Sequence, residues 1–285
     1  MAKSYDDHIR SLAVLHDYIE QDQEAGEKGA VEKVVKDIQT AARKIAADAE
    51  RVVDQLNAEA KEAAAGLKAE AKEAVGGIRK GAARAAQDLM REVDEGADEK
   101  AAVLNADKIL KRAEQTTIEL NRQAAESLVA LAEQTEAATA QVEAAVHTAF
   151  VELAAVKEQA VKQVSGTAKD TAQQFPADAV PDDPETQVSR KAAAEVIKML
   201  AQASESVTRS VNEATAQVQR AAENAVATVK VASSEASSSV HGAIDAANRK
   251  VLDVAQSAIT KQVGAKEAEF FDVGSLRDKW NKPDS

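Results

Sequence analysis

Between residues 196 and 258 the apolar positions follow one rule. Val196, Val207, Val218, Val229, Val240 and Val251 recur every eleven residues. Ala203, Ala214, Ala225, Ala236, Ala247 and Ala258 keep the same step seven places later, and Leu200, Val211, Ala222 and Ile244 form a third column that only Ser233 breaks. Steps of 4, 3 and 4 amount to about 3.67 residues per turn, close to the natural α-helical pitch, so each column holds one face of a nearly straight helix. The pattern predicts a hendecad-repeat helix over 191–264. Its self-association or surface-binding stripe is Val196, Leu200, Val207, Val211, Val218, Val229, Val240, Ile244 and Val251.

A second set of columns lies upstream. Val31, Val35, Ile38, Ala42, Ile45, Ala49, Val52 and Leu56 alternate steps of 4 and 3, a heptad seam. From there Leu56, Leu67, Ile78 and Leu89 recur every eleven, giving a second stripe. Gly76, Gly77 and Gly81 interrupt that stretch, and each mid-helix glycine costs about 1 kcal/mol relative to alanine. They mark either a bend or the close approach of another helix. Heptad-like steps return from Leu128 to Ala160. The long helical region is therefore expected over 30–172, with a turn at 94–101 where four acids surround Gly96. A Pro/Asp-rich connector at 173–190 follows, since helix does not continue through Pro176, Pro181 and Pro184.

The ends differ from the middle. Residues 1–29 read as a short amphipathic helix and a glycine linker, with Ile9, Leu12, Leu15, Tyr18 and Ile19 on one face as a docking helix. The tail 265–285 holds Phe270, Phe271 and Trp280, which read as plugs where helices meet. Three segments of similar length and the shared hendecad period favour an up-down-up arrangement; the alternative is one helix of roughly 140 residues folded back once. The fold class expected is all-α: an elongated long-helix coiled-coil bundle with hendecad and heptad seams.

Composition narrows the class further. Aromatic residues make up 2% of the chain, too few for a thick core, and alanine supplies much of the apolar count. A net charge of −12 with interspersed signs weighs against nucleic acid or strongly anionic membranes as main partners. The chain has no cysteine, hence no disulfide or thiolate metal site. It contains no apolar run long enough to span a bilayer, so a cytoplasmic location is expected, peripheral to a membrane or granule if a surface is bound.

Candidate chemistry is sparse. His8, His16, His147 and His241 lack a second ligand at metal spacing. Gly76-Gly77-x3-Gly81 lacks the preceding strand and the following Lys-Ser or Lys-Thr of a phosphate-binding loop. The basic residues Arg79, Lys80 and Arg84 are of a kind that touches phosphate or lipid head groups, but read more simply as a solvated face paired with nearby acids. No catalytic, cofactor-binding or metal residue is assigned, and no small-molecule substrate is expected.

Glu133-Gln134-Thr135-Glu136-Ala137-Ala138-Thr139 is similar in texture to chemoreceptor signalling hairpins, but the connector FPADAVPDDPE is nothing like their hairpin tip. The eleven-residue columns resemble the class shared by exchangeable apolipoproteins, lipid-droplet coat proteins, late-embryogenesis proteins and, more loosely, phasins of polyester granules. That resemblance implies a lipid or granule surface as partner. The residues themselves favour a non-catalytic scaffold or filament formed by self-association, a homo-oligomer. The alternative is a peripheral coat on a membrane, lipid droplet or polyester granule.

Overall fold

The computed structural model describes residues 28–174 and 184–280. Three long helices account for most of them: α1 is Lys28–Arg91, α2 is Glu99–Gln174 and α3 is Pro184–Val263. Two short helices follow, α4 at Ala265–Ala268 and α5 at Val273–Trp280. No strand is present among the described residues, so the fold is all-α as the periodicity requires. The docking-helix residues Ile9, Leu12, Leu15, Tyr18 and Ile19 lie outside the described residues.

Helix boundaries follow local chemistry. Asp98 caps α2: its carboxylate accepts the Ala101 amide at 2.8 Å, while its carbonyl accepts the Ala102 amide. Pro184 is the first residue of α3, a position where its missing N–H costs nothing. Helix therefore extends further into the stretch 173–190 than its prolines suggested, through Gln174 on one side and from Pro184 on the other. Gly264 ends α3 with φ at 87°, a left-handed conformation that only glycine adopts without strain.

The chain forms two compact units. Unit 1 contains α1 up to Glu59, α2 from Gln141 and α3 up to Ala225. Here α1 and α2 lie side by side, with Arg51 and Glu152 3.9 Å apart at the surface. The core is aliphatic, with Ile38, Ile45, Leu56, Val142, Leu153, Val207 and Val218 among its larger side chains.

Unit 2 contains α1 from Ala60, α2 up to Ala140, and α3 from Val226 with the two short helices. Arg112 of α2 pairs with both Asp88 and Glu92 at the end of α1. A Cβ added to Gly81 would lie 2.9 Å from a Leu120 methyl carbon, and one on Gly77 would lie 3.0 Å from the Gln123 amide nitrogen. These two glycines are therefore close-approach sites: they let side chains of α2 press against the backbone of α1. Along α1 these contacts advance while along α2 they retreat, so the two helices are antiparallel. Lys68–Glu235 and Asp94–Gln262 advance together, so α1 and α3 are parallel.

The tail corrects one expectation. Phe270 is 86% exposed and plugs nothing, whereas the aliphatic Ala268, Val273 and Leu276 are buried. The Trp280 side chain lies outside the described residues.

Candidate functional site

The eleven-residue stripes that stood out in the sequence point inward wherever their side chains are described. Val207, Val218, Val229, Val240 and Val251 are each fully buried, and Leu200, Val211 and Ile244 nearly so. The second stripe, Leu56, Leu67, Ile78 and Leu89, is equally inaccessible. The Val196 side chain lies outside the described residues. Both stripes are thus covered by helices of the same chain, and a partner or surface would reach them only by opening the fold.

Burial adds columns that stepwise reading misses. Ile45 extends the second stripe backwards by eleven, into the stretch read as a heptad seam. In α2, Ile109, Leu120, Leu131, Val142, Leu153 and Val164 are all buried and again spaced by eleven. Steps of 3 and 4 look alike over two turns whichever repeat they belong to; scanning α2 at a fixed period of eleven separates them. All three long helices consequently share one pitch, and their faces stay opposed without supercoil conflict.

Polar residues interrupt the columns at defined places in unit 2. Ser233, which breaks the third column, has its hydroxyl oxygen 2.8 Å from that of Thr135. The Asn248 side-chain amide donates to the Asn121 side-chain carbonyl at 2.9 Å, while the Asn248 carbonyl oxygen is buried without a partner. Gln262 stands eleven residues beyond Val251, where the column would place another valine. It is 7% exposed, accepts the Asp94 amide at 2.8 Å and donates to the Asp94 carbonyl at 2.9 Å. Its side chain therefore fastens the turn between α1 and α2 to the last turn of α3. The position alone would have flagged Gln262 as an exception to the column; its partner, distant in sequence, was not legible.

Charged groups sit outside. The Arg122 guanidinium holds Glu119 below the usual carboxylate range through a hydrogen bond, and Lys162 does the same for Glu158. Arg79, Lys80 and Arg84 were expected to pair with nearby acids; among the described residues none of the three has a carboxylate within ion-pair distance. Arg79 and Lys80 have no acid three or four residues away along α1, and Asp88, four residues after Arg84, lies instead 3.6 Å from Arg91 and 3.7 Å from Arg112. Large apolar side chains are exposed on α2: Ile118 and Val129 in unit 2, and Val151 in unit 1.

Among the described residues no group of three or more His, Asp or Glu side chains is placed to hold a metal ion. No described helix is long and apolar enough to cross a membrane. No protein-family model matches the chain, and no curated protein matches it in sequence. Among solved structures it is similar to a computationally designed three-helix bundle, at 16% identity and a TM-score of 0.52, over 92% of this chain and 98% of that one. That likeness concerns the fold alone.

Proposed function

We propose that this chain is a non-catalytic structural protein, a scaffold whose eleven-residue columns are satisfied by the other helices of the same chain. The observation that carries the reading is the burial of one aliphatic column from each long helix, Ile45–Leu89, Ile109–Val164 and Val207–Val251. Most of the largest fully buried side chains belong to these columns, and the polar side chains brought together across helices fix register or fasten a turn.

Self-association then falls to the outer face of α2 in unit 2, where Ile118 and Val129 are exposed eleven residues apart. The test is sedimentation velocity over a concentration series. Replacing these two residues by serine is expected to shift any oligomer to monomer with little change in melting, and an unchanged oligomer would remove the outer face from the proposal.

A second reading is favoured by the alanine-rich core. Alanine fills a column beside the Leu/Ile stripe, at Ala49, Ala60, Ala71 and Ala82, so little apolar area holds the helices closed. Opening would present these faces to a lipid or granule surface, with the exposed Ser234 away from the buried column of α3. Sedimentation with and without liposomes, read beside negative-stain images, separates the readings. A scaffold stays in the supernatant and closed, whereas a coat pellets with the lipid and loses that binding on Val218→Asp/Val229→Asp. Ser234→Asp, on an exposed face, is the control; Thr208 and Ser210 are half-buried and serve less well.

A further inference from the structure

In unit 2 a groove of about 610 Å³ runs between α1 and α3. That is a volume in the range of small-molecule sites. Its α1 wall carries Lys68, Lys72 and Arg79, with Val75 between the last two. Its α3 wall carries Glu235, the hydroxyls of Ser238 and Ser239, and Gly242. We propose that this groove binds the phosphate monoester of an organic anion, held between Lys72 and Arg79 with the organic part against Val75 and Gly242.

Charge is the first argument. Lys68 is engaged by Glu235 at 2.9 Å, but among the described residues Lys72 and Arg79 have no acid within ion-pair distance. One acid against three bases leaves the groove positive in a protein of net charge −12. Lys72 and Arg79 are seven residues apart, about 10.5 Å along the axis, within reach of one anion from both sides. The Arg79 guanidinium offers the planar fork that pairs with two phosphate oxygens. The Ser238 hydroxyl opposite adds a donor, whereas that of Ser239 already donates to the Glu235 carbonyl at 2.8 Å.

Space is the second argument. Gly242 lies inside α3, where glycine is unfavourable relative to alanine. A Cβ added there would meet nothing within 4 Å, so packing does not require the glycine, unlike Gly77 and Gly81. What its missing side chain does is leave the groove open opposite Val75. The floor is otherwise small and apolar, with Ala71, Ala236 and Ala243. A cationic wall, a hydroxyl wall and an apolar floor suit an anionic head with an apolar body.

Such a phosphate monoester has two sources, a free metabolite or the head group of phosphatidic acid. The experiment uses the full chain with glycerol 3-phosphate by calorimetry, and with phosphatidylcholine vesicles with and without phosphatidic acid by sedimentation. Lys72→Gln/Arg79→Gln is expected to weaken binding about tenfold or more, the loss of two charge-assisted contacts. Lys80→Gln/Arg84→Gln removes the same charge outside the groove and is expected to weaken it by no more than about twofold. Glu235→Gln is expected to tighten binding by a few fold by removing the competing acid. Gly242→Leu places its Cβ where nothing lies within 4 Å and extends the side chain into the open groove, and glycine is the poorer helix former, so it should melt at or above the parent temperature yet fail to bind. Binding of glycerol 3-phosphate with this pattern identifies a free phosphate as ligand; the same pattern with phosphatidic acid vesicles alone identifies the head group. Absence of binding to both probes overturns the proposal, as does equal weakening by the two double substitutions, or unchanged binding in Gly242→Leu. Failure here leaves the lipid-coat reading untouched, because that reading predicts dependence on Val218 and Val229 instead.

Discussion

The two units use the same columns but differ in what interrupts them. In unit 1 every buried side chain among the described residues is aliphatic. In unit 2 lie the buried polar side chains found among the described residues, Thr117, Asn248 and Gln262, together with the Thr135–Ser233 hydroxyl contact. An aliphatic column repeats itself every eleven residues, so its packing alone is satisfied nearly as well after a slip of one repeat. A buried amide is satisfied at one position only. Unit 1 therefore contributes helix burial without marking register, while unit 2 contributes burial and also states which layer faces which. The Asn248 carbonyl oxygen left without a partner is the cost of that information, of order 1–3 kcal/mol for a buried unpaired acceptor.

The largest effect is expected from charging the column in either unit. Val218→Asp in unit 1 and Val229→Asp in unit 2 each bury a carboxylate, and each is expected to cost about 3–5 kcal/mol, read as a fall in melting temperature by circular dichroism. Hydrogen exchange sharpens the comparison: the loss of protection should concentrate in the unit that carries the substitution. Equal loss everywhere would mean the two units unfold as one.

Next in size is the clamp. Gln262→Ala removes two hydrogen bonds to Asp94 and opens a small void, for an expected loss of about 2–3 kcal/mol. Faster exchange at 92–98 should accompany it, with unit 1 amides unchanged. A smaller change of opposite sign is expected for Asn121→Leu/Asn248→Leu, which replaces an incompletely paired amide couple by apolar contact and should raise stability by about 1 kcal/mol. The register argument demands something further of this variant: spin labels on α2 and α3 of unit 2 should report a second distance population. A single unchanged distance would show that packing alone fixes the layers.

Acid titration gives the smallest effect and one test in each unit. Glu119 in unit 2 and Glu158 in unit 1 are both held below the usual carboxylate range, each first by a hydrogen bond to a base one turn away. A lowered folded-state value means the stabilisation is complete above about pH 4.5 and fades as pH falls through the depressed value. Glu119→Gln and Glu158→Gln should therefore lower the melting temperature slightly at neutral pH and low salt, and not at all once pH is well below 4. These pairs lie on the exposed surface, so 1 M salt should abolish the difference.

How much was readable in advance depended on whether the signal was periodic. The stripe from Val207 to Val251 and the stripe from Leu56 to Leu89 could be named residue by residue, because burial of one helical face leaves its period in the sequence. The Ile109–Val164 column obeys the same rule and was obscured by locally ambiguous steps of 3 and 4. Ser233, Asn248 and Gln262 appear only as irregularities, since their meaning lies in Thr135, Asn121 and Asp94, far away in sequence. The α1–α3 groove was least legible of all. Lys72 and Gly242 face each other across two helices separated by the whole of α2, and no local pattern encodes that juxtaposition.

The pitch shared by α1, α2 and α3 also bears on how such a chain can change over time. Removing or adding one eleven-residue block in each long helix would return every column to its face, with each helix altered by about 16 Å. Only the few polar partners would need to keep their positions relative to the turn at 92–98. A change of any other size would rotate one face away from the others, by about 98° for a single residue at 3.67 residues per turn. Length in this architecture is quantised: lineages can gain or lose whole blocks by in-frame duplication or deletion, while single-codon insertions in the helices are filtered out.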